Sequence, residues 1–230
     1  MLYARNMEQQ TQNKESTLKT IDATFDVTDQ GAFVPVEAGV YPAHVSNVIT
    51  RDVNIRKTGE TAVVFDLTYK IAEEASKLEQ TLYEMDGFEY KLDADGDRIK
   101  IMENGEPKKT KCNHIVGKEY RGKGFFLFTG SENSSKNRGY FRLLDSLGVK
   151  TEEIEQDGRM VKKLPLLETK DVAGKPIQVE LKLDSYITKQ TQSLPESQQD
   201  KKFVWKVFQV HPWNDGPVIS IEEMDTEVPF

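Results

Sequence analysis

Three stretches bring chemically capable residues together at informative spacings. Gly117-Lys118-Glu119-Tyr120-Arg121-Gly122-Lys123-Gly124 nearly spells a phosphate-binding loop. Such a loop ends in Ser or Thr, whose hydroxyl reaches magnesium, and a helix follows it. Here glycine holds that last place, and Phe125-Phe126-Leu127-Phe128 follows, which reads as strand. The stretch is better read as a flexible basic loop. Asp93, Asp95 and Asp97 alternate like calcium ligands, but the glycine falls at the fourth place rather than the sixth, and Asn104 stands where a bidentate Glu belongs. An Asp-Gly hairpin turn accounts for them. Cys112 and His114, with His44 and His211 elsewhere, carry zinc-ligating atoms. One cysteine without a Cys-x-x-Cys partner does not make a structural zinc site. There is no nucleophile motif and no helical His-Glu-x-x-His. The expectation is a protein that is not an enzyme and takes no metal and no cofactor.

What does recur is a base beside an aromatic ring: Tyr90-Lys91, Tyr120-Arg121, Lys123 before Phe125-Phe126, Arg138 before Tyr140, and Trp205-Lys206. Sequence-neutral binding of single strands uses this mixture, because bases stack on rings while Lys and Arg track the phosphates. Phe125, Phe126, Phe128 and Tyr140 read as core. The stacking candidates are Tyr69, Tyr90, Tyr120 and Trp205. The candidate phosphate contacts are Arg51, Arg56, Lys57, Lys108, Lys109, Lys111, Arg121 and Lys123.

The net charge of −7 speaks against a polyanionic partner until its distribution is seen. From Asn214 to Phe230 there are five acids and no base, so the remainder carries only −2. From Arg98 to Arg142 there are eleven bases and four acids. A basic middle and an acidic end separate a binding face from a docking segment. The mean hydropathy is −0.60, and no apolar run approaches the length of a membrane span. The N-terminal residues lack the apolar stretch of a signal peptide. Single Cys112 excludes an internal disulfide framework. A cytoplasmic protein without a membrane partner is expected.

The elements that must position these residues are mostly strands. Residues 1–38, rich in Gln, Asn, Thr and Lys, read as a largely disordered arm. Val40–Arg51 and a strictly alternating run over Ala62–Ile71, joined by a turn at Gly59, predict an antiparallel hairpin. A third strand is expected around Gln80–Met85. Asp95-Gly96 and Asn104-Gly105 are hairpin turns, so residues 86–123 form an insertion with β-ribbon character. Phe125–Phe128 is a buried strand. Tyr140, Leu143, Leu144 and Leu147 form one helical stripe that Gly148 ends, which predicts a helix over Asn137–Leu147. Thr151–Arg159 is a charged excursion. Ile177–Ile187 and Phe203–His211 are the last strands, with a mobile loop at 188–202. The fold class is mainly β: an OB-fold-like five-stranded barrel with one helix, between the third and fourth strands, and a β-ribbon insertion. The binding domain spans 39–211. A non-catalytic β-sandwich serving structure or protein interaction is the other reading of this pattern, and a nuclease is a third.

Residues 212–230 form an acidic segment that closes on Glu222-Glu223-Met224-Asp225-Thr226-Glu227-Val228-Pro229-Phe230. Acids that steer an encounter, followed by an apolar ring, read as a docking peptide. This ending resembles that of bacterial and phage single-stranded DNA-binding proteins, whose acidic tip closes on an apolar residue, Pro and Phe. Gly39-Val40-Tyr41, Leu147-Gly148, Gly174-Lys175-Pro176 and Lys206-Val207 are similar to the layout of a phage group of these proteins. The resemblance implies a protein that coats single-stranded DNA in replication, recombination or repair. Its partners would be replication or recombination proteins, held through Glu222, Glu223, Asp225, Glu227, Val228, Pro229 and Phe230. A homo-oligomer is compatible with it, as is the host bacterial cytoplasm if the chain is phage-encoded. The insertion departs from the minimal pattern.

Overall fold

The computed structural model describes residues 34–86, 89–156 and 158–220. The fold is mainly β. Strands β1 (Gly39–Ile55) and β2 (Glu60–Ile71) form a long antiparallel hairpin. The Gly59 amide donates to the Ile55 carbonyl, and its φ of +73° is one that a side chain disfavours. Alternation along β2 buries Phe65, Leu67, Tyr69 and Ile71 on one face, as the sequence predicts. A bulge between Val45 and Asn47 shifts the register of β1.

The insertion is a ribbon of short pairings. It comprises β3 (Glu79–Thr81), β4 (Met85–Asp86), β5 (Glu89–Tyr90), β6 (Met102–Glu103), β7 (Glu106–Pro107) and β8 (Lys109–Lys111). Strand β3 pairs with β8, β4 with β5, and β6 with β7. Asn104 and Gly105, both at positive φ, make the second expected turn. Strands β9 (Glu119–Arg121) and β10 (Phe125–Phe128) both pair with β2. Their registers on β2 differ by one residue, so Gly122-Lys123-Gly124 interrupts a single line of chain.

Helix α1 (Arg138–Ser146) follows, one residue shorter at each end than expected. Its stripe of Tyr140, Leu143 and Leu144 is buried, with Tyr140 stacked on Phe65 at 4.5 Å. The Asn137 side chain accepts from the Phe128 amide and donates to its carbonyl, docking the helix start on β10. The charged excursion is a hairpin instead: β11 (Glu152–Gln156) pairs with β12 (Arg159–Lys163). Glu152 faces Lys163 and Glu153 faces Lys162, and opposite charges across a ladder stabilise it. After a short α2 (Thr169–Val172), β13 (Pro176–Ile187) pairs with β1 and with β14 (Lys201–His211).

The main sheet therefore runs β10-β2-β1-β13-β14, with β9 also on β2. Its far edges approach at one point, an isolated parallel bridge between Gly122 and Val207. The core lies inside this curve. Beyond it, β13 and β14 continue as a two-stranded arm from the Lys182–Lys206 pair to the Ile187–Lys201 pair, and residues 182–187 are all exposed. The loop at 188–200 is closed by bonds of its own: the Thr188 amide donates to the Asp200 carbonyl and the Asp200 amide to Thr191 Oγ1.

Two expectations at the domain's margins need correction. Residues 34–38 are not part of a loose arm. Glu37 accepts from Tyr90 and pairs with Arg98, and Gln80 donates to the Pro35 carbonyl. Residues 212–219 are not free tail either. Ile219 donates to the Gly174 carbonyl, and His44 bonds the Pro217 carbonyl with its ring 5.6 Å from that of Trp213. The expected docking residues Glu222–Phe230, and residues 1–33 of the arm, lie outside the described residues. No helix among the described residues is long and apolar enough to cross a membrane.

Candidate nucleic-acid interface

The arm and the Gly122-Lys123-Gly124 interruption meet at Phe208. A second bulge, between Glu180 and Leu181 on the partner strand, leaves Phe208 outside the ladder register. Phe208 is 46% exposed. Lys123 Nζ lies 4.3 Å from the ring centroid and Lys182 Nζ 4.1 Å, so two ammonium groups lie over one half-exposed ring. Lys206, directly across from Lys182, lines with them a cavity of about 200 Å³. Lys182 is paired with Glu180 at 2.8 Å and Lys206 with Asp184 at 3.0 Å. The Lys206 ammonium holds the Asp184 carboxyl below its usual range. Further out, Phe203 is 62% exposed, and Lys201 Nζ stands 5.8 Å from its ring. Tyr186, Leu183 and Ile187 are exposed on the same arm. Between Lys182 and Lys206 the chain carries five lysines and three acids.

Lys123 owes its position to its two glycines. A Cβ on Gly124 would stand 2.6 Å from Val64 Cγ1 and 2.7 Å from Asp66 Oδ1, closer than such atoms approach. Only a bare backbone passes there, and the passage turns the Lys123 side chain toward β14.

The other residues chosen from sequence are scattered. Tyr69 is wholly buried and Tyr120, its partner across β2 and β9, nearly so; neither offers a ring to a base on the surface. Burial raises the pKa of both phenols. Tyr90 lies on the ribbon with the Arg98 guanidinium 4.0 Å over its ring and its hydroxyl on Glu37, so it anchors the insertion. Its pKa is raised, chiefly by burial and by Glu37. Trp205 is half-buried and packs against the core from β14. Arg51 is exposed and paired with Asp66 at 2.7 Å. Arg56 and Lys57 are exposed in the β1–β2 turn, and Arg121 is exposed on β9. Lys108 pairs with Glu103 at 3.1 Å, while Lys109 and Lys111 are exposed on β8. Of the twelve, Lys123 lies over the Phe208 ring and Tyr69 lines a cleft beside it. Phe208, Lys182 and Phe203 were not anticipated, and Lys206 was noted only as the base beside Trp205. The signal available for them was the run Phe203-Val204-Trp205-Lys206-Val207-Phe208, which interleaves rings and a base.

The zinc-capable side chains do not converge. Cys112 is buried and donates from Sγ to Gln80 Oε1 at 3.6 Å, with its thiol pKa raised by burial. His114 is half-buried, and burial lowers its pKa. No group of three or more His, Cys, Asp or Glu side chains comes together among the described residues. Asp93 Oδ1 accepts from the amides of Asp95 and Asp97, which makes it the organiser of a turn.

No protein-family model, curated protein or solved structure matches this chain.

Proposed function

We propose that this protein binds single-stranded DNA without catalysis, along the β13–β14 arm and the Gly122-Lys123-Gly124 segment. The observation that carries the reading is the half-exposed Phe208 ring between the Lys123 and Lys182 ammonium groups. A half-exposed ring with cations at phosphate reach, whose ammonium groups can move from ring to phosphate, is the local composition of a sequence-neutral single-strand site. Phe203 with Lys201 repeats the pairing further along the arm.

The reading of the fold that accompanies it is a five-stranded, OB-like barrel. It is supported by counting β9 and β10 as one line. The order then runs β1, β2, β9/β10, β14, β13 and back to β1, and along the chain α1 falls between β10 and β13, the third and fourth lines in sequence. The arm is then the connection between the last two lines, where such folds often carry nucleic-acid contacts. Coating of strands in replication, recombination or repair follows from sequence-neutral binding. The acidic, aromatic segment Glu222–Phe230 supports recruitment of partner proteins as a second role.

The test is fluorescence anisotropy of a long labelled oligothymidylate at low salt, with duplex as competitor. Binding should prefer the single strand and weaken with salt. Neutralisation of three phosphates by Lys123, Lys182 and Lys206 sets a log–log slope near −2. No binding at low salt, or equal affinity for duplex, overturns the reading in favour of a protein-interaction module.

A further inference from the structure

We infer that the larger cleft beside Phe208 receives one unstacked base of the bound strand, while Arg142 and Lys123 hold the adjoining phosphate. The inference rests on the single-strand reading above. The cleft has a volume of about 340 Å³ and lies between Gly122-Lys123-Gly124, α1 and the stretch Val207–Val210 of β14. Phe125, Leu143 and Val207 give it apolar walls. Its polar side chains are Tyr69, Lys123, Arg142 and Gln209. Apolar walls with a few placed polar groups are what a planar heterocycle needs.

Tyr69 is the informative one. Its side chain is wholly buried, yet its hydroxyl has no hydrogen-bond partner among the described residues. Burial holds the phenol neutral, so it can donate one hydrogen bond and accept another. A buried hydroxyl left unpaired is unfavourable, and a ligand that pairs it gains the difference. Base edges offer both donors and acceptors.

Two glycines keep the cleft open. A Cβ on Gly122 would lie 3.0 Å from Tyr69 Cε2, crowding the ring. Gly139, in the first turn of α1, also lines the cleft, and a Cβ added there meets nothing within 4 Å. Lys123 and Phe208 line both this cleft and the smaller cavity with Lys182 and Lys206. A strand stacked on Phe208 therefore passes the mouth of the cleft, with cations on both sides.

The experiment uses the full chain and two variants. Gly139→Leu fills the cleft from an exposed helix position, and Tyr69→Phe deletes the hydroxyl while keeping the ring. Affinity is measured by anisotropy for oligothymidylate and for an oligomer of abasic sites, which offers phosphates without bases. Tyr69→Phe should bind oligothymidylate about two- to tenfold more weakly, the worth of one hydrogen bond, and the abasic strand as the wild type does. Gly139→Leu should show the same selective loss. Wild-type affinity of both variants for both strands overturns the base pocket and leaves single-strand binding standing. Failure of the wild type to bind oligothymidylate overturns both.

Discussion

Truncation of Phe208 separates stacking from electrostatics. The ring is about half exposed, so Phe208→Ala removes roughly half of the burial worth about 1.5–3 kcal/mol for a whole phenylalanine. Folding stability should fall by no more than about 1.5 kcal/mol. Phe65 provides the contrast. It is wholly buried against Tyr140, and Phe65→Ala should cost about 3–5 kcal/mol. For binding the order reverses. One base stacked on one ring is worth about 1–3 kcal/mol, so Phe208→Ala should weaken oligothymidylate binding roughly 5- to 150-fold. The lysines remain, so the salt slope should be unchanged. Lys123→Ala is the complement, with its slope shallower by about 0.7, the share of one phosphate contact. Anisotropy titrations at several salt concentrations, beside urea unfolding of each variant, read out all four quantities. Unchanged affinity in Phe208→Ala would refute the reasoning. So would a loss of affinity matched by an equal loss of stability.

Gly124→Ala should destabilise by about 1–3 kcal/mol, because its Cβ would enter the space of Val64 and Asp66; a lower urea midpoint at constant m-value checks this. Tyr90→Phe removes the hydroxyl that Glu37 accepts while Arg98 keeps its ion pair, at a cost of about 1 kcal/mol. Faster tryptic cleavage at Lys91 and Arg98, with residues 112–211 still protected, is the expected result. Burial pushes the Tyr41 phenol up to about 12 and raises Tyr69, Tyr120 and Tyr140 as well. The folded state thus favours the neutral phenols. Their contribution is complete below the unfolded value near 10 and is lost as pH rises through the folded values. The melting temperature should fall above about pH 10, with phenolate absorbance appearing together with unfolding.

The parts of the fold legible in the sequence are those where one periodicity governs every residue. Phe65, Leu67, Tyr69 and Ile71 alternate without a break, and Tyr140, Leu143, Leu144 and Leu147 hold one helical face. That same alternation argues that Tyr69 is core, and it outweighs any preference drawn from residue type. Tyr120 misleads because Glu119 and Arg121 beside it are charged, yet in a strand those neighbours point the opposite way. The β11–β12 hairpin escapes because its charges read as a solvated loop until the strands are paired and Glu152 and Glu153 meet Lys163 and Lys162. Phe208 is hidden more deeply. Strict alternation from Val207 would put Phe208 and Val210 on one face, and only the bulge, which no residue type announces, separates them. The docking of residues 34–38 and 212–219 uses the carbonyls of Pro35 and Pro217 as acceptors, groups that every residue carries.

Net charge is the wrong scale on which to judge this surface. At physiological ionic strength fields decay over about 8 Å, so most of the chain's excess acid is screened from any one phosphate. What a phosphate meets near Phe208 is the ammonium groups of Lys123 and Lys182, each within 4.3 Å of one ring centroid. Glu180 and Asp184 do not cancel them. Exposed ion pairs of this kind are worth about 0–1 kcal/mol, so a phosphate can replace a carboxylate at small cost. Until it does, the pairs hold Lys182 and Lys206 out of full extension into solvent, which reduces the side-chain entropy still to be lost on binding. The two acids thus pre-arrange the cations they partly neutralise. By the same reasoning, a net charge of −7 does not by itself exclude a polyanion site on one arm.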